Sequence, residues 1–136
     1  MKRTLITLIL AIAAFAQLNA QVAIVANKSV PSSSATLSLV VEIYTLNSKT
    51  WSDGSRIVVF DQKGNISSQF YAAIGKSGLE LKKSWLRMQL TGEAKAPESV
   101  DNDDQVLQKV ASTPGAIGYV AADKATRDVK VLLTLN

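Results

Sequence analysis

The order of short apolar runs and helical segments is the strongest constraint on this chain. "VAIVA" (22–26), "RIVVF" (56–60), "AIGYV" (116–120) and "VKVLLTL" (129–135) are too short for buried helices and rich in β-branched residues. Segments with helical spacing lie between the first three. Strands that alternate with helices bury their apolar faces as an α/β sheet with a sizeable parallel part, covered by helices. The expected fold is therefore a single α/β domain with a central mixed sheet.

Helices are expected near 34–46, 66–74, 77–91 and 102–112. In the first, Leu37, Val40, Val41 and Tyr44 share one face, and Asn47 is a plausible stop. In the second, Ile66, Phe70 and Ile74 do so. Ser77 and Glu80 fit a capping box that opens the third, with Leu81, Trp85 and Met88 on one stripe and Leu79, Leu86 and Leu90 beside it. Asp101, Asp103 and Asp104 bring acids to the start of the fourth, where they suit the helix dipole. "SKTWSDGS" is turn chemistry around Asp53-Gly54, and "EAKAPES" (93–99) reads as a linker. Trp85, Leu81, Phe70, Val41, Ile57, Val59 and Ile117 are the expected core.

The N-terminus carries Lys2 and Arg3, an apolar run from Leu5 to Phe15, and then "QLNA" before Gln21. That is the pattern of a secretory signal peptide over residues 1–20, and the run is shorter than the roughly 20 residues a bilayer span needs. The expected mature chain, 21–136, is periplasmic, forms one domain and has no membrane span. Of the formal net charge of +4, two units belong to Lys2 and Arg3, so the mature chain carries +2. Its Lys and Arg residues are scattered, which argues against nucleic-acid binding.

There is no Cys and no His. Disulfides, thiolate chemistry and Ser–His activation are thereby excluded, and the commonest metal ligands are missing. "GKS" at 75–77 lacks the Gly that a phosphate-binding P-loop needs five residues earlier, where Phe70 stands. The Asp101–Asp104 cluster lacks the later Gly and Glu of a calcium loop. No enzyme, metal or cofactor is expected.

"VVFDQKGNISSQFYAAI" (58–74) reads as strand, loop and helix with small polar residues at the helix start. Free N–H groups at a helix N-terminus make an anion site. The same residues, Asn65, Ser67 and Ser68, also suit ordinary capping. Composition alone leaves both open.

The block "TPGAIGYV" (113–120), preceded by "DNDDQVLQKVAS", resembles the ending of periplasmic phosphate-binding proteins of ABC importers. "IVANKSV", "LSLVVEIYTLNSKTWSDGSRIVVFD", "GNISSQFYAAI" and "KSW" follow that family's order. The resemblance spans the whole expected mature chain but only one of the family's two lobes, and is nearest to its short, single-domain members. It implies a single periplasmic-binding-protein lobe that holds phosphate or another oxyanion non-covalently at the helix start after "VVFD".

The residues it implies are Lys63, Gly64, Asn65, Ser67 and Ser68. Asp61 would lie beside the anion, and Asn27 and Ser29 would contribute from the first strand's loop. Where the family carries a Ser-Gly-Thr-Arg type motif, this chain keeps Gly and hydroxyls but has no Arg, and Lys63 offers a point charge instead of a fork. One lobe also leaves the ligand open to water. Binding is therefore expected to be weak, or to need a partner protein in the cell envelope that completes the cleft. The alternative is a scaffold protein of an envelope assembly that keeps the fold without the ligand.

Overall fold

The computed structural model describes residues 21–136, so the expected leader over residues 1–20 lies outside the described part. The elements run β1 (Val22–Ala26), α1 (Leu37–Tyr44), β2 (Val58–Gln62), α2 (Ile66–Ala73), α3 (Gly78–Leu90), β3 (Glu98–Val100), α4 (Asp103–Ser112), β4 (Ala116–Ala121) and β5 (Lys130–Leu135). A 3₁₀ turn at Ala122–Lys124 precedes β5. The strands form one mixed sheet in the order β3-β2-β4-β1-β5.

β2 is parallel to both of its neighbours, with Phe60 opposite Glu98 and Val58 opposite Ala116. β1 is antiparallel to β4 and β5, with Val22 opposite Ala121. This mixture has a consequence for any site. The C-terminal ends of β2, β3 and β4 share one edge of the sheet with the start of β1. The end of β1 lies at the opposite edge, where the Asn27 N–H donates to the Ala116 carbonyl at 2.9 Å.

Both faces of the sheet are covered, which is why β1 is buried along its whole length. Val22, Ile24 and Ala26 join Ile117 and Tyr119 in a core beneath α1, α2 and α3, which supply Val40, Ile43, Tyr44, Phe70, Leu81 and Trp85. Ala23 and Val25 face the other way, against Val106, Leu107 and Val110 of α4. Trp85 is buried, and its indole N–H donates to the Tyr44 carbonyl at 2.7 Å, so α3 is fastened to the end of α1.

Two glycines in the "PGAIGYV" block are required by close approach. Gly115 has φ of 77°, and a Cβ there would lie 2.3 Å from the Arg56 carbonyl oxygen. A Cβ on Gly118 would meet Val106 at 2.7 Å, so its absence lets α4 settle onto β4.

The expected elements are all present, with three corrections. The "RIVVF" strand lies at Val58–Gln62, two residues later than expected, because Asp61 and Gln62 pair with β3. Part of the "EAKAPES" linker is strand: Glu98 and Ser99 open β3, whose three residues are too few to show a period. The first helix starts at Leu37, where the Thr36 hydroxyl accepts from the Leu39 N–H at 3.1 Å, and stops at Tyr44 before Leu46 turns to φ of 62°. Among the expected core residues, Val41 and Val59 are half-buried and the other five are buried.

Candidate functional site

β2 alternates its side chains between the two faces, and its last two residues are polar yet buried. Asp61 and Gln62 are each 2% exposed. Asp61 faces the larger core, where the Tyr71 hydroxyl donates to its two oxygens at 2.8 and 2.7 Å and the Tyr119 hydroxyl makes a short bond to one of them. Tyr119 stacks on Phe70 at 3.8 Å, and Tyr44 meets Phe70 edge-on at 4.7 Å while its own hydroxyl donates to the Phe60 carbonyl at 2.8 Å. All three tyrosine hydroxyls are held above their ordinary pKa, first by burial and then by Asp61 beside them. Asp61 is thus a buried anchor that ties β2 to α2 and β4.

Gln62 faces α4. Its amide nitrogen donates to the Asp103 carboxyl at 2.8 Å and to the Tyr119 carbonyl at 2.8 Å. Those acceptors set the orientation of the amide, because the oxygen could bond to neither. Its Oε1 has no partner among the described residues, and it lies 2.5 Å from where a Cβ on Gly64 would be. A side chain at position 64 would therefore have to displace this amide oxygen.

The loop Lys63-Gly64-Asn65 then turns the chain into α2. The Lys63 N–H donates to the Val100 carbonyl at 2.9 Å, and its side chain is exposed. α1, α3 and α4 are capped by the side chains of Thr36, Ser77 and Asn102. α2 is not: Asn65 takes a helical conformation, with φ of −59°, and makes no capping bond. The Ser67 N–H bonds to the Gly64 carbonyl at 3.0 Å, and the Ser68 hydroxyl donates to the Asn65 carbonyl at 3.1 Å. The N–H groups of Gly64, Asn65 and Ile66 have no acceptor among the described residues. Three neighbouring donors at the helix start are thus without a partner among the described residues, with Lys63 beside them and the acids Asp101 and Asp103 at the adjoining start of α4.

The eight expected site residues fall into three places. Lys63, Gly64, Asn65, Ser67 and Ser68 form one contiguous helix start. Asp61 lies behind it, turned into the core. Asn27 and Ser29 are at the opposite edge of the sheet, because β1 runs against β2. There the Asn27 amide donates to the carbonyls of Val110 and Ala111 at 2.7 and 3.1 Å, which closes the end of α4. The Ser29 hydroxyl accepts from the Gly115 N–H at 3.0 Å. Both residues fasten the "PGAIGYV" block and do not approach the α2 start.

The sequence reading did not single out Gln62, Tyr71 or Tyr119. Tyr71 lies ten residues from Asp61 and is brought back to it by the packing of α2 on β2, whereas Tyr119 lies 58 away and is brought there by the pairing of β4 with β2. A separate groove of about 300 Å³ lies at the other end of β2, lined by Ile57, Val59 and Pro97, the cations Lys49 and Arg56, and the acids Glu93 and Glu98. No group of three or more acids able to hold a metal ion exists among the described residues.

The fold is similar to solved binding proteins. A protein from Clostridium perfringens, assigned as a phosphate ABC transporter substrate-binding protein and solved with bound phosphate, matches with TM-score 0.68 and 20% identity, over 83% of this chain and 45% of that one. An ABC-type phosphate transport receptor from Vibrio cholerae matches with TM-score 0.64 and 16% identity, over 84% and 49%. PstS from Borrelia burgdorferi matches with TM-score 0.59 and 14% identity, over 83% and 47%. The chain has the fold of one half of these proteins. It spans a little under half their length. No protein-family model and no curated protein matches the chain. The matched structures are of binding and transport proteins, and no helix among the described residues is long and apolar enough to cross a membrane.

Proposed function

We propose that this chain is an exported, non-catalytic oxyanion-binding module, and that it takes phosphate or a similar anion at the start of α2. The observation that carries the reading is the uncapped helix start directly after the C-terminal end of β2. Ligands of open α/β sheets gather beyond strand C-termini, and free N–H groups with a helix dipole behind them favour negative charge. Lys63 adds attraction, and the Ser67 hydroxyl makes no other hydrogen bond among the described residues. The likeness to phosphate-binding structures supports the same assignment.

The same geometry makes the binding weak. Asp101 and Asp103 oppose an incoming anion, there is no Arg fork at the loop, and the described residues correspond to a little under half of the matched structures. An isolated site of this kind is expected to bind no tighter than about 1 mM, or ~4 kcal/mol. Tighter binding then requires an envelope partner that closes over the α2 start. A scaffold role without ligand is the second reading, favoured by the burial of Asp61 and by the structural use of Asn27 and Ser29.

Titration calorimetry of phosphate into the wild-type protein and into Ser67→Ala separates the two. The anion reading expects weaker binding in the variant at unchanged thermal stability. Equal binding in both proteins removes Ser67 from the site, and no binding by the wild type leaves the scaffold role.

A further inference from the structure

Large exposed apolar side chains are concentrated on one helix. Leu79, Leu86 and Leu90 of α3 are 65%, 57% and 78% exposed, whereas Leu81 and Trp85 of the same helix are buried. At 3.6 residues per turn, positions 79, 86 and 90 fall within about 40° of one another and lie on the far side of the helix from Leu81, Trp85 and Met88. They form a ridge about 16 Å long. A solvated helix face normally carries polar residues there.

The ridge has basic flanks. Lys82 borders it on one side, and Lys83 and Arg87 border it on the other, all exposed. None of the three forms an ion pair among the described residues. Glu80 is the one acid in α3. A convex line of leucines between cations suits a flat, fluid, negatively charged surface: the leucines enter the acyl boundary while the long basic side chains reach up to the headgroups. A second copy fits poorly, because an antiparallel pairing of the two helices that aligns the leucines would set Lys83 against Arg87 of the other chain.

We propose that the outer face of α3 docks this protein onto an anionic lipid bilayer. The inference does not depend on the anion site, which lies at the start of a different helix. It makes a peripheral contact and needs no membrane span.

The test uses the processed protein recovered from cells that express the full chain. Co-sedimentation is measured with vesicles that contain phosphatidylglycerol and with vesicles of phosphatidylcholine alone. The expected result is affinity for the anionic vesicles about tenfold or more above the neutral ones, falling as salt screens the lysines. The combined variant Leu79→Ser, Leu86→Ser, Leu90→Ser should lose that binding with an unchanged melting curve, and Lys82→Glu with Lys83→Glu should lose it too. Absence of binding to anionic vesicles overturns the proposal. So does binding that the leucine variant retains. Self-association in solution that the leucine variant abolishes, without vesicle binding, would assign the ridge to a second copy. Capture of only an acidic protein would assign it to that partner.

Discussion

Asp61 sits under two tyrosine hydroxyls, and the energetics of the inner site follow from that burial. Burial first, and then Asp61, raise the pKa of Tyr71, Tyr119 and Tyr44 above the unfolded value of about 10. Above that pH the unfolded chain releases tyrosine protons that the folded chain keeps. The unfolded state then binds fewer protons, so stability falls as pH rises. These are all the tyrosines of the chain. An ultraviolet titration should therefore show almost no tyrosinate until the protein unfolds in alkali, and then all three together. A gradual signal near pH 10 would mean that at least one hydroxyl is open to water. At this scale the site was only partly legible. A loop rich in Gly, Asn and Ser after a strand marks a helix start, but sequence does not say whether Asn65 caps it. Nor does sequence say which way Asp61 points, because its partners lie on another helix and another strand.

Among the elements, α3 depends most on a single side chain. Its inner stripe is held by Leu81, Trp85 and Met88, and the Trp85 indole also bonds to the end of α1. Trp85→Ala should cost about 3–5 kcal/mol, read by urea denaturation, since it leaves a cavity and an unpaired carbonyl at Tyr44. A loss near zero would mean that the stripe does not face the core. The helices were legible because period and capping residues agree: Thr36, Ser77 and Asn102 each cap where a helix was expected to start or within a few residues of it. The strands were less so. Asp61 and Gln62 are poor strand formers on their own, and pairing with β3 and bonds from Tyr119 and Tyr71 override that preference. β3 is specified by its neighbour β2 more than by its own three residues.

Across the whole molecule, strand direction decides which loops can meet. The sequence order made Asn27–Ser29 and the α2 start look like neighbours, since both follow a strand. Antiparallel β1 separates them across the sheet, and no local pattern in "VAIVA" encodes that direction. The export reading is a property of the whole chain as well, and it predicts that mass spectrometry of the protein recovered from cells finds an N-terminus at or near Gln21. An intact Met1 would oppose it. The most direct test of the central claim is an amide NMR titration with phosphate at low salt. Saturable shifts confined to Lys63–Ser68 are expected, with a dissociation constant of about 1 mM or weaker. An absence of shifts at these amides, or shifts centred on the Lys49 and Arg56 groove instead, would contradict it.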